Sequence, residues 1–275
     1  MFRTAITPAP PLRRPVQRPQ RKQQLKSRLK QRLKLSALLV ALPSVFRGVI
    51  RDVNVLFWCA IRPFKIGAYF RKQSLRKLHL GASGNLLPGW LNTDLSVDRP
   101  GLVYLDATRR FPLPSDSIDY VFSEHMIEHI DYEQAQLMLS ECIRVLKPGG
   151  TLRTSTPNLA ISLQLYGEPA DPELRAYQRW FAKRFGLSDF ADDPNLGVFI
   201  LNMGFRAWGH QFLYDKTTLS HALLDNGFTD LRFFFPLESD DPELQKIEGH
   251  GDLNGTQQWN NIEAFVIEAK KPGSN

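Results

Sequence analysis

Only two cysteines, Cys59 and Cys142, occur in the 275 residues. They are too few for a disulfide framework or a cysteine-based zinc site, and a reducing compartment suits them. Long apolar runs are missing as well. A membrane-spanning helix needs about 18 uninterrupted apolar residues, and the nearest candidate, 35–61, is broken by Pro43, Arg47, Arg51 and Asp52. The polar, basic stretch that precedes it does not have the order of a secretory signal. The Arg-rich start has the composition of an organelle transit peptide, yet Pro8, Pro10, Pro11, Pro15 and Pro19 oppose the amphipathic helix such a peptide needs. No internal repeat is present.

Acidic residues are scarce at one end only. Residues 1–77 hold 19 Lys and Arg against the single acid Asp52, while 78–275 hold 16 against 27, so the net charge of +7 belongs to the front. A basic arm on an acidic body is a device for meeting a phospholipid surface, nucleic acid or an acidic partner; the plain alternative is a solvated tail. Residues 1–24, rich in Pro, Arg and Gln, are expected to be a disordered tail. Over 25–76, Leu25, Leu29, Leu33 and Leu35, then Val49, Val53, Leu56 and Phe57, recur near helical spacing among basic residues. They predict a basic amphipathic extension that lies on a membrane interface or packs on the body. The expected location is cytoplasmic, with a peripheral contact to the inner face of the membrane through the arm. Nothing in the sequence sets the oligomeric state.

From residue 77 onward, short apolar runs alternate with helical patterns, which predicts a parallel sheet covered by helices. Strands are expected at 77–80, 90–94, 102–106, 118–123 and 150–156. A helix over 132–146 should stop at Lys147-Pro148-Gly149-Gly150, which also supplies the turn into the next strand. A helix over 216–226 is closed by Gly227, and strands at 229–235 and 261–269 should form an antiparallel pair at the edge. The expectation is an α/β, Rossmann-like domain over 77–272, with a mostly parallel seven-stranded sheet and helices on both faces.

Three features carry the chemistry. Leu78-His79-Leu80 runs straight into the turn Gly81-Ala82-Ser83-Gly84, and glycine lets backbone approach a ligand without a Cβ in the way. The next apolar run ends in Asp94, a carboxylate placed to accept the hydroxyls of a ribose. Together they point to an adenosine-containing ligand without choosing between NAD and S-adenosylmethionine. Then come Leu105-Asp106-Ala107, Phe111-Pro112-Leu113-Pro114, Ser117-Ile118-Asp119-Tyr120-Val121 and Arg144-Val145-Leu146-Lys147-Pro148-Gly149-Gly150. In this order they resemble class I S-adenosylmethionine-dependent methyltransferases of the small-molecule group.

The resemblance implies S-adenosylmethionine as cofactor. Gly81, Ala82, Ser83 and Gly84 would turn around its methionine part, Asp94 would hold the ribose, and Asp106 with Ala107 would face the adenine edge. Ser123, Glu124 and His125 would lie beneath the methyl donor. Two departures stand out: His79 occupies a place where many members carry an acid, and Ala82-Ser83 replaces a more usual small residue and glycine.

His125-Met126-Ile127-Glu128-His129 reads literally as H-x-x-E-H, so His125, Glu128 and His129 also spell a zinc metallopeptidase pattern. In metallopeptidases the pattern lies within a long helix and needs a third ligand from elsewhere, whereas here it starts at a strand end. The resembling family carries a similar run there, so no metal is assigned and His129 is placed in the acceptor wall. The stretch 202–215 resembles an element of bacterial predicted methyltransferases tied to surface-polysaccharide synthesis. That likeness implies Arg206, His210 and Tyr214 in the acceptor pocket, with His210 the base; Trp208 and His129 are also expected against the acceptor, and His125 and Tyr214 with His210 at the chemistry. An aromatic cap over the sheet edge is the plain alternative. Tyr177, Trp180, Phe181, Phe185 and Phe190 supply apolar surface for a helical lid inserted at 160–212.

The expected reaction is methyl transfer to a hydroxyl, or another nucleophile, of a small, sugar or lipid-linked acceptor. RNA methylation is opposed by the acidic body and by the lack of an Asn-Pro-Pro-aromatic or catalytic-Cys signature. A non-catalytic S-adenosylmethionine-binding scaffold is the third alternative.

Overall fold

The computed structural model describes residues 44–167, 169–190, 196–251 and 256–273, with side chains from Asp52 onward. The tail expected at 1–24 and the start of the basic extension lie outside these residues. The chain divides into two compact units, Met1–Leu56 and Phe57–Asn275. In the first, the described residues begin helix α1, Ser44–Lys72. No helix among the described residues is long and apolar enough to cross a membrane.

The second unit opens with the rest of α1. Ile66 is buried, and Tyr69 and Phe70 pack on the main core. The Tyr69 hydroxyl accepts from the Lys77 N–H at 2.7 Å, and Lys65 donates to the Leu102 carbonyl at 3.0 Å. Five parallel strands follow: β1 Lys77–Leu80, β2 Leu91–Asp94, β3 Val103–Tyr104, β4 Ile118–Glu124 and β5 Leu146–Pro157. Between the last two lies helix α2, Tyr132–Val145, whose first turn is capped by the Asp131 carboxylate accepting from Gln134 N–H. Helices α3 Leu159–Gln164, α4 Pro172–Arg184, α5 Leu196–Arg206 and α6 Lys216–Asp225 come next, then β6 Thr229–Phe234, α7 Gln257–Glu263 and β7 Ala264–Lys270. The sheet order is β3-β2-β1-β4-β5-β7-β6, with β7 antiparallel to both neighbours. This is the expected Rossmann-like sheet with its antiparallel edge pair.

Two boundaries differ from expectation. The Lys147–Gly150 segment joins the sheet: Leu146 pairs with Ile118, and Gly149 N–H donates to the Lys271 carbonyl at 3.0 Å. The last strand starts at Ala264 because residues 257–263 take a helical turn that sends Trp259 and Ile262 into a second cluster.

The central strands are buried on both faces, so a polar side chain there must find a partner. His79 is 1% exposed, packs with its ring tilted 4.8 Å from that of Phe122 and places Nδ1 3.2 Å from Asn92 Oδ1. Burial lowers its pKa to about 4, against the opposing pull of Asn92. The unfolded value is about 6.5, so neutral His79 contributes stability above that pH. The contribution is lost as pH falls toward 4, at up to about 1.4 kcal/mol per pH unit. Comparing denaturant midpoints at pH 7 and pH 5 should show a smaller drop in His79→Leu than in the parent chain; equal drops would mean that the proton goes elsewhere.

A fully buried Arg153 on β5 holds two carboxylates at 2.6 Å, Glu248 and Glu268 on β7. Glu248 also accepts from Leu237 N–H at 2.9 Å. Removing one member of such a set leaves an uncompensated buried charge. The set ties the connection between β6 and α7 to the sheet, and this fixes what covers the strand tips.

The insertion after β5 has its own core: Leu165, Leu174, Tyr177, Phe181, Leu196 and Ile200 are buried together. Within it, Gly197 of α5 lies so close to the Tyr166 backbone that a Cβ would collide with it. Gly197→Ala should therefore displace α5, at a cost of about 1–3 kcal/mol. Hydrogen exchange should quicken over 159–206 and stay unchanged in β4 and β5. Unaltered exchange over α5 would contradict the contact.

Candidate active site

In an open α/β sheet, ligands bind beyond the carboxyl ends of the strands where the strand order reverses. Here that point lies between β1 and β4, and a cavity of about 550 Å³ opens there. One wall is the turn Gly81–Gly84. Gly81 has φ +66°, and a Cβ on it would run into the Met126 side chain, so only glycine serves. Asn85 donates to the Ile247 carbonyl at 2.9 Å. Glu124, at the tip of β4, accepts from Gly249 N–H at 2.8 Å and His250 N–H at 2.9 Å. Burial raises the Glu124 pKa, with those two donors pulling the other way. Residues 247–250 thus close over the turn.

Asp94 is half-buried beside this wall. Its Oδ2 accepts from Ser83 N–H at 3.0 Å and its Oδ1 from Ser96 N–H at 2.8 Å. Asp106, just past β3, accepts from Thr108 N–H and hydroxyl at 3.0 and 2.6 Å and pairs with the exposed Arg109. Asp94 at the tip of β2 and Asp106 and Ala107 just past β3 do not border the cavity, although Asp94 touches the turn that does.

At the far end, His125 directly follows β4, with φ +45°. Its Nδ1 is 3.2 Å from Glu128 Oε1, its Nε2 is 3.4 Å from Asn260 Oδ1, and its ring stacks on His250 at 4.1 Å. Burial alone would lower its pKa, but the Glu128 carboxylate outweighs this and pushes it up to about 9. His250, buried beside that charge, is pushed down to about 4. His129 turns the other way, 4.9 Å from the His210 ring. The short 3-10 turn Ile127–His129 sends the two rings of the H-x-x-E-H run to different partners, so His125, Glu128 and His129 do not converge as that pattern requires.

His210 Nδ1 lies 2.5 Å from the Gly204 carbonyl. That carbonyl can only accept, so Nδ1 carries the proton and the lone pair of the neutral ring is on Nε2. Burial lowers the His210 pKa, which favours the neutral form. Glu124, His125, His129, Trp208 and His210 all line the cavity. So do Tyr177, Trp180, Phe181 and Phe185, with Trp208 packed 5.1 Å from Phe185. Tyr177 hydrogen-bonds the Glu263 carboxylate, whose pKa burial raises.

Three more expected residues fall outside the cavity lining. Tyr214 is fully buried in the main core, because its backbone bridges Asn158 and turns the ring inward. Arg206 is exposed at the end of α5, outside the lining. Ser123 is buried within the sheet, its hydroxyl 3.2 Å from that of Thr154. Conversely, Asn85, His250 and Glu263 line the cavity without having been singled out. Asn85 directly follows the glycine turn and could have been found from that position, whereas His250 and Glu263 carry no local motif.

Residues 92–154 match the family described as a methyltransferase domain. A probable S-adenosylmethionine-dependent methyltransferase of Mycolicibacterium smegmatis is 38% identical over 92 residues, which are 32% of this chain and 34% of that protein. The match thus spans about a third of the length of this relative. Among solved structures, a SAM-dependent methyltransferase from Archaeoglobus fulgidus is 20% identical, covering 80% of this chain and 94% of its own, with a TM-score of 0.41. A phosphoethanolamine N-methyltransferase 2 of Haemonchus contortus, solved with S-adenosyl-L-methionine, is 16% identical over 72% of this chain and 49% of its own, at TM-score 0.37. The residues matched to the methyltransferase-domain model, 92–154, run from β2 to β5 of the Rossmann-like sheet.

Proposed function

We propose that the chain transfers a methyl group from S-adenosylmethionine to a hydroxyl of a sugar or lipid-linked acceptor. The observation that carries this is one continuous cavity, with the glycine turn at one end and His129, His210 and an aromatic wall at the other. The turn suits the cofactor's amino-acid end: the main chain at Gly81 and Gly84 is bare of side chains, and Glu124 stands opposite. A carboxylate offers about four acceptor positions, so Asp94 can hold ribose hydroxyls while keeping its bonds to Ser83 and Ser96. When bound, the cofactor supplies an electrophilic methyl on sulfur, which leaves the protein to position the acceptor. Trp180, Phe185 and Trp208 offer flat apolar faces for a sugar ring, and His210 Nε2 is the free acceptor for its hydroxyl proton. His125, held protonated by Glu128, orders the floor and takes no proton.

The excess of Lys and Arg over 1–77 supports a station at an anionic membrane surface in the cytoplasm. The test is transfer of labelled methyl from S-adenosylmethionine to saccharides, lipid-linked sugars and RNA. A base-stable methyl ether on a sugar is the expected product. Label in RNA, or cofactor binding without turnover on any acceptor, would overturn the proposal.

A further inference from the structure

We infer that Glu128, His129 and His210 form a binding site for a divalent first-row transition metal, with Zn²⁺ the reference ion. One ligand atom from each of the three lies within 4.8 Å of the other two. Ligand atoms on one zinc ion sit roughly 3.3 Å apart, so small ring rotations close the set. Two imidazoles and a carboxylate are a donor set that holds such ions with positions left open.

The backbone around the three is already locked. Gln211 N–H and Phe212 N–H donate to the Glu128 carbonyl at 2.7 and 3.3 Å, and the Gln211 side chain donates to the His129 carbonyl at 2.7 Å. Segments 82 residues apart are thereby pinned side by side. The outer contacts are those a metal ligand needs. Gly204 fixes the His210 ring, and the Thr156 hydroxyl donates to Glu128 Oε2 at 3.0 Å. Glu128 has acceptor capacity left for an ion beside Thr156 and His125.

All three residues line the cavity, so the open positions face its interior, where an ion would hold an acceptor oxygen. This metal set differs from the H-x-x-E-H pattern: His210 replaces His125, which is turned toward Asn260 and His250. With an ion bound, His210 Nε2 is a ligand and no longer accepts the hydroxyl proton, so the ion would take over the activation that the proposed function gives to the ring in the metal-free chain. The site stands on these side chains alone; only the role of the held oxygen rests on the methyl-transfer proposal.

The full chain, stripped with chelator, would be titrated with Zn²⁺ by calorimetry and with Co²⁺ by visible absorption. One equivalent should bind, with a Co²⁺ spectrum of low coordination number. His129→Ala and His210→Gln should each abolish both signals. Thr156→Val, which removes an outer contact, should weaken binding about tenfold. His221→Ala, an exposed histidine on α6 outside the cavity, should bind as the parent does. Circular dichroism confirms that each variant is folded. No stoichiometric binding by the parent, or binding that survives both His129→Ala and His210→Gln, overturns the site. S-adenosylhomocysteine affinity, measured on the same stripped samples, reports on cofactor binding separately, so a failure of that proposal leaves the metal result standing.

Discussion

Asp94→Ala is expected to weaken S-adenosylhomocysteine binding by roughly 150-fold or more, read by calorimetry. The carboxylate is half-buried at the tip of β2 and grips the glycine turn through Ser83 N–H at 3.0 Å. Two ribose hydroxyls bound to an ionised acceptor contribute about 1.5–3 kcal/mol each, so losing both costs at least about 3 kcal/mol. The same substitution releases the turn, which adds to the loss. Asp94→Asn separates the two effects, because its amide oxygen can still accept from Ser83 N–H while the charge is gone. Its affinity should fall between the other two. Unchanged affinity in Asp94→Ala would remove the ribose assignment.

His210→Ala should leave cofactor affinity untouched and lower kcat by about 10²–10⁴-fold, the range for loss of a positioned proton acceptor. The ring is anchored by its Nδ1 to Gly204 and has no bond to the glycine turn, so cofactor binding has no reason to change. A bound ion at Glu128, His129 and His210 would make the same substitution equally damaging, and the metal titration tells the two causes apart. A His210→Ala enzyme with normal kcat would place the chemistry elsewhere in the cavity. His250, stacked on His125 and held neutral by burial, is then the next group to replace.

Much of the sheet is legible from apolar runs and turns. Leu78–Leu80, Leu91–Asp94 and Ile118–Glu124 are short, bounded stretches whose burial on both faces makes them read as central strands. The residues at their tips follow directly, which is why Gly81 and Asp94 can be named without coordinates, whereas Glu124 is named only through the family resemblance. The acceptor end is less legible because it depends on distant returns of the chain. Glu263 reaches the cavity on the turn before β7, and His250 arrives on a connection clamped by Arg153 through Glu248. Neither has a periodic pattern or motif to mark it.

Tyr214 shows the converse limit. A dense run of aromatic and basic residues marks 202–215 as unusual, but which side chains face the cavity depends on backbone bonds to distant segments, one of them a bridge to Asn158. Tyr214, at that bridge, is buried in the core, while Trp208 and His210 line the wall, the chain beside His210 being held by Gln211 and Phe212 N–H on the Glu128 carbonyl. The H-x-x-E-H run fails as a single constellation for a related reason. Its spacing aligns two rings only on a continuous helix, and the positive φ at His125 breaks that geometry.

The most direct measurement is a crystal structure of the full chain grown with S-adenosylhomocysteine. The amino-acid end should lie along Gly81–Gly84, the ribose against Asp94 and the adenine beside Asp106. The sulfur should face the chamber bounded by His210 and Trp208. A nucleoside bound away from the β1–β4 tips, or Asp94 and Asp106 both turned from it, would contradict the site described here.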